Sequence, residues 1–133
     1  MLLLQVVGSQ FIPITGVCNP RRIPRGSPFF STVGNLLVQL EEDTPFNDYN
    51  YKMTYTDSST GTAAYGQAIC NVSDIPQRAT LYTPFIVPRA ICTACLTNLG
   101  NSIWNFCNNA VAAQVESGDR CSILYAIIQS STP

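Results

Sequence analysis

Two rhythms of apolar and polar residues run along this 133-residue chain. Residues 49–56, YNYKMTYT, alternate strictly: Tyr49, Tyr51, Met53 and Tyr55 share one side, and Asn50, Lys52, Thr54 and Thr56 the other. A period of two sets one face on a core and the other in water, which predicts a half-buried strand. The turn-forming run DSSTGT leads into AAYGQAIC (63–70), its expected antiparallel partner. QFIPITGV (10–17) reads as a further strand, with Pro13 pointing to a sheet edge or a strand start. NAVAAQV (109–115) and CSILYAII (121–128) read as a hairpin over the turn ESGDR. Elsewhere the period lengthens. In residues 27–45, Phe29, Val33, Leu36, Leu37 and Leu40 recur at threes and fours behind Ser27 as N-cap and Pro28 in the first turn, and Pro45 ends the run. A second helix is predicted over about 92–107, its inner face made of Cys92, Cys95, Leu96, Leu99, Ile103 and Phe106. Strands and helices do not alternate, so the expected fold class is α+β: an antiparallel sheet of about five strands with two helices packed on one face.

A chain of this length builds one domain around one core. Only 11% of residues are charged and the net charge is −1, which excludes a basic nucleic-acid binder or a cationic lytic peptide. Asn, Ser and Thr supply the polarity instead, as in many extracellular proteins. The chain has no histidine. Cys/His zinc sites, a Ser-His-Asp triad and a Cys-His nucleophile are therefore all excluded. Asp48, Asp57, Asp74, Asp119 and Glu116 show no paired-carboxylate spacing, so no enzyme is expected. The opening MLLLQVVGS (1–9) is too short to span a membrane. It has two readings, a buried first strand or the remnant of a signal peptide. Asn71-Val72-Ser73 is an N-glycosylation triplet, a second hint of secretion.

Six cysteines remain to be explained: Cys18, Cys70, Cys92, Cys95, Cys107 and Cys121. Cys92 and Cys95 form a C-x-x-C. A zinc ribbon needs two such knuckles and only one is present. A thioredoxin-like dithiol needs a buried strand before the motif, and the preceding TPFIVPRA carries two prolines. An even number of cysteines in a chain of this kind reads as three structural disulfides, with fifteen pairings open from sequence alone. No metal and no cofactor are expected.

The segments CNPRRIPRGSPF (18–29), TPFNDYNYK (44–52), AYGQAICN (64–71), CTACLTNL (92–99), CNNAVAAQV (107–115) and CSILY (121–125) resemble the ginkbilobin family of small antifungal seed proteins. Their domain is the plant stress-antifungal cysteine-rich module, found also in cysteine-rich receptor-like kinase ectodomains. The resemblance covers about residues 10–128. It implies a two-helix, five-stranded antiparallel sheet and the disulfides Cys18–Cys107, Cys70–Cys92 and Cys95–Cys121. It also implies a secreted, monomeric, mannose-binding defence protein, its partner a fungal cell-wall mannose glycan. The alternative is a same-fold module that binds a cell-surface protein. Neither reading involves nucleic acid or a membrane span.

This chain departs from the family in two places. The family spacing is C-x8-C-x2-C, whereas Cys70 and Cys92 enclose 21 residues. Residues 74–91, with Pro76, Pro84 and Pro88, stand out as an atypical insertion, either a natural loop or a translated intron. The second departure touches the implied mannose pocket. The family's Asn after the first cysteine is Asn19 here, but its Arg on the strand after CNNA is Gln114, and its Glu after the last strand's Tyr is Ala126. Gln114 can donate one neutral hydrogen bond; Ala126 offers none. Asn19, before Pro20, also suits an Asx turn. Arg21, Arg22 and Arg25 form a small basic cluster beside it, read as a solvated loop or a grip for anionic wall polymers. Trp104 falls next to the helix's core face and reads as a structural residue or an aromatic that stacks on a sugar.

Overall fold

The computed structural model describes residues 4–7, 10–71, 86–118 and 120–128, with side chains at 14–71, 88–118 and 120–128. The elements are β1 (Leu4–Val7), β2 (Gln10–Cys18), α1 (Phe29–Asp43), a 3-10 turn (Thr44–Phe46), β3 (Asn50–Thr56), β4 (Ala63–Cys70), α2 (Ile86–Cys107), β5 (Ala112–Ser117) and β6 (Cys121–Ile128). All strand pairs are antiparallel, in the order β1-β2-β5-β6-β4-β3. The expected five strands are β2 to β6. The short β1 adds a hairpin on the outer half of β2, from Leu4 opposite Pro13 to Val7 opposite Gln10.

The strand alternation sorts the sheet into two faces. In β5, Ala113, Val115 and Ser117 are buried, while Gln114 and Glu116 face out. In β6, Cys121, Ile123 and Tyr125 are buried. Both helices lie on this inner face, α1 over β3 and β4 and α2 over β5 and β6. From α1, Val33, Leu36, Leu37 and Leu40 of the expected stripe are buried together with Thr32, while Phe29 is half-buried. The N-cap position is Pro28, not the expected Ser27, and carries no side-chain capping bond; Ser27 stands one residue further out, its Oγ accepting the Phe29 N–H at 3.1 Å. At β4, Gly66 lets α1 press onto the sheet: a Cβ there would meet Leu40 Cδ1 at 2.8 Å and Leu36 Cδ2 at 2.9 Å. The β3–β4 turn is held by Asp57, whose carboxylate accepts the Ser59 N–H at 2.9 Å and hydroxyl at 2.7 Å.

The second helix differs from expectation. It starts at Ile86, not near Cys92, so the described part of the insertion (86–91) is helical; 74–85 lies outside the described residues. Pro88 reads as a breaker in sequence, but it falls in the first turn, where N–H groups have no intrahelical acceptor to lose. Leu96, Leu99 and Ile103 are fully buried, whereas Cys95 and Phe106 are only half-buried. Trp104 packs against Phe30 and Tyr125, with ring centroids 5.6 and 6.2 Å away.

The pairing of the cysteines is Cys18–Cys107, Cys70–Cys92 and Cys95–Cys121, and none is free. No thiol is left to ligate a metal or cycle as a dithiol. Every bridge has one end on α2: Cys107 ties it to β2, Cys92 to β4 and Cys95 to β6. The sequence separations are 89, 22 and 26, so the chain-entropy model assigns about 3–5 kcal/mol to each.

Candidate functional site

Among the described residues no helix lies on the outer face of the sheet. Register decides which side chains meet there. Val17 of β2 stands opposite Gln114 of β5, and Gln114 opposite Leu124 of β6. One row along, Asn19 donates its N–H to the Ala112 carbonyl at 3.0 Å, and Ala112 pairs with Ala126. Asn19, Gln114 and Ala126, far apart in sequence, thus line one open groove of about 410 Å³, together with Val17, Pro20 and Leu124. Its floor is mostly aliphatic, and Val17 is 74% exposed.

Each position has a local cause. The chain leaves α2 through Asn108 and Asn109, both left-handed (φ 55° and 61°), a conformation that Asn tolerates better than most residues. That reversal feeds β5 into the sheet with Gln114 facing out. At the other edge, Cys18 pairs with Ala113 but Arg22 bridges Ala110. Four steps on one side match three on the other, which is a one-residue bulge around Pro20. The bulge is fixed by Asn19, whose Oδ1 accepts the Arg21 N–H at 2.8 Å in the Asx turn that Pro20 favours. Asn19 is exposed, and one of its oxygen's lone pairs stays open to a ligand. Beneath the groove, Tyr125 is fully buried and donates its hydroxyl to the Ala110 carbonyl at 2.6 Å. Burial pushes its phenol up to about 12.

Val17 and Leu124 were not singled out by the sequence reading. Their signal was parity: each lies two residues before a pocket position, Asn19 or Ala126, and so faces the same way. Asn71 is exposed at the other end of the sheet, and it lines a second hollow of about 390 Å³ with Ile69, Glu116, Arg120 and Ser122. Among the described residues no group of three or more His, Cys, Asp or Glu side chains could hold a metal. The groove can therefore offer aliphatic contact, the amides of Asn19 and Gln114, and whatever its rim supplies.

No protein-family model matches the chain. Curated relatives do. An antifungal ginkbilobin-like protein 1 of Picea sitchensis is 40% identical over 112 residues, 84% of this chain and 74% of the relative. Antifungal protein ginkbilobin-2 of Ginkgo biloba is 34% identical over 125 residues, 94% of this chain and 81% of the relative. Among solved structures, the tandem DUF26 ectodomains of the Arabidopsis thaliana cysteine-rich receptor-like proteins PDLP5 and PDLP8 share the fold, with TM-scores of 0.62 and 0.63 at 16% and 17% identity. Each likeness covers 84% of this chain but only 48% and 47% of the ectodomain, about half its length. The disulfide frame, the two-helix sheet and these relatives agree: the chain belongs to the family of ginkbilobin-like antifungal proteins.

Proposed function

We propose that this chain is a secreted plant defence protein, active against fungi, whose outer-sheet groove engages a cell-wall glycan of the mannose type. The observation that carries this reading is the convergence of Asn19, Gln114 and Ala126 on one groove. These are the positions matching the family's mannose pocket. The antifungal names of the relatives support the defence role, and the three disulfides suit an oxidising, extracellular setting. No helix among the described residues is long and apolar enough to cross a membrane. No catalytic constellation supports an enzyme.

Binding of neutral mannose is weak on this reading. Hydrogen bonds to charged groups contribute about 1.5–3 kcal/mol each, and two such groups are replaced by Gln114 and Ala126. Millimolar affinity corresponds to about 4 kcal/mol, so little of a monosaccharide's binding survives such a loss. A polymer that covers the whole groove recovers affinity through aliphatic contact with Val17 and Leu124. Calorimetric titration with mannose and with mannan tests this, beside a growth assay on a filamentous fungus. Heat with mannan that is lost in Leu124→Glu supports the groove. Silence with both sugars sinks it and favours the second reading, a module that binds a cell-surface protein through the same exposed aliphatic floor.

A further inference from the structure

We propose that the rim loop from Asn19 to Gly26 selects acidic polysaccharides, Arg21, Arg22 and Arg25 gripping the carboxylate or phosphate groups of a chain whose hydroxyls lie along Asn19 and Gln114. The inference rests on the glycan reading of the groove and names the class of glycan. Three of the chain's seven cationic side chains fall within residues 21–25 of this loop. All three are exposed, and among the described residues none of them forms an ion pair.

Their backbone is fixed although their side chains are unengaged. The Arg21 N–H is held by Asn19 Oδ1, and the Arg21 carbonyl accepts the Val111 N–H at 2.9 Å. Arg22 bridges Ala110, and the Ile23 N–H reaches the Asn109 carbonyl at 2.8 Å. Arg25 sits at the tip of a turn closed by the Ser27 N–H and the Pro24 carbonyl at 3.0 Å, which needs the positive φ of Gly26, +82°. Three exposed arginines are thus carried on one fixed loop that continues from Asn19 and Pro20 of the groove, with little backbone entropy left to lose on binding.

Helix stability does not explain this placement. The cations precede the N-terminus of α1, while Glu41, Glu42 and Asp43 sit at its C-terminus, the reverse of what the helix dipole favours. The arrangement adds to the local positive field instead of cancelling it. The opposite end of the outer face carries both signs, Glu116 and Arg120 lining one hollow. Guanidinium forks match carboxylate and phosphate oxygens in pairs. Nucleic acid fits less well: among the described residues the one aromatic ring lining the groove, Tyr125, is fully buried and gives bases nothing to stack on.

The test compares neutral mannan, polygalacturonate, phosphorylated mannan and single-stranded DNA by calorimetry over a salt series. The proteins are wild type, the triple variant R21Q/R22Q/R25Q and the groove variant Leu124→Glu, each checked for an unchanged melting temperature. Wild type should bind at least one acidic polysaccharide about tenfold more tightly than neutral mannan at low salt, with the excess fading as salt rises. The two acidic arms tell carboxylate from phosphate. The triple variant should lose that excess and keep its affinity for neutral mannan. Equal binding of acidic polymers by wild type and triple variant overturns the inference, as does tighter binding of DNA. Acidic binding that needs the arginines but is indifferent to Leu124→Glu, with no binding of neutral mannan, instead overturns the groove reading and leaves the anion grip standing.

Discussion

Gly66 of β4 and Leu40 of α1 meet so closely that a methyl group on the glycine would come within 2.8 Å of the leucine Cδ1. The contact sets the distance between helix and sheet. Gly66→Ala is therefore expected to cost about 1–3 kcal/mol, as overpacking of a tight core does. Urea unfolding measures it, and the double variant G66A/L40V should recover part of the loss. A G66A protein as stable as wild type would contradict the packing described.

Tyr125 gives a stability effect with a definite pH window. Its phenol is pushed up to about 12 from the ordinary 10.0 by burial. Between those values the native state keeps a proton that the unfolded chain has lost. The linked stability is fully present below pH 10.0 and drains away as pH rises towards about 12. Tyr125→Phe should remove this dependence. It should also cost about 1–3 kcal/mol at neutral pH, because the Ala110 carbonyl loses its donor in a buried place. Tyrosinate absorbance and thermal melts across the alkaline range check both.

Glu41 works in the other direction. Burial, and then the charge of Glu42, raise its carboxyl above the ordinary 4.5. Its carboxylate packs where a Cβ on Gly100 of α2 would lie. The native state holds this proton more tightly than the unfolded chain, so stability falls as pH rises through the carboxylate range. Glu41→Gln should raise the melting temperature at pH 7 by about 1–2 °C, the side chain being half-exposed and screened. Below the carboxylate range, where Glu41 is protonated in both states, the two proteins should melt alike.

The groove predicts a gain of function. Restoring charge with Gln114→Arg and Ala126→Glu places both groups on the same outward face, in neighbouring rows of the sheet. The double variant should bind mannose at least about tenfold more tightly than wild type, by calorimetry. No change would mean that these positions do not form the sugar contact.

Local burial was legible in the sequence wherever one residue's environment follows from its neighbours. The alternation of Tyr51, Met53 and Tyr55 and the stripe of Val33, Leu36, Leu37 and Leu40 are such cases, and their strand and helix followed. The start of α2 was not legible, because Pro88 has opposite meanings in the first turn of a helix and in its middle. The disulfide pairing came through resemblance, as spacing alone leaves every pairing open. Val17 and Leu124 became visible only with the register, which joins β2 to β5 and β5 to β6 across long stretches of chain. The groove is a property of those pairings more than of any single motif.

The bridges that converge on α2 also determine what a protease can do. A single cut anywhere between Cys18 and Cys107 leaves its two pieces joined by that pair, and a cut between Cys107 and Cys121 leaves them joined through Cys95–Cys121. One nick within this span therefore releases nothing. The severed chain stays one covalent molecule, with its pieces held against the same helix until a reductant arrives. In a fluid full of hydrolytic enzymes, such a protein can lose peptide bonds and keep its shape.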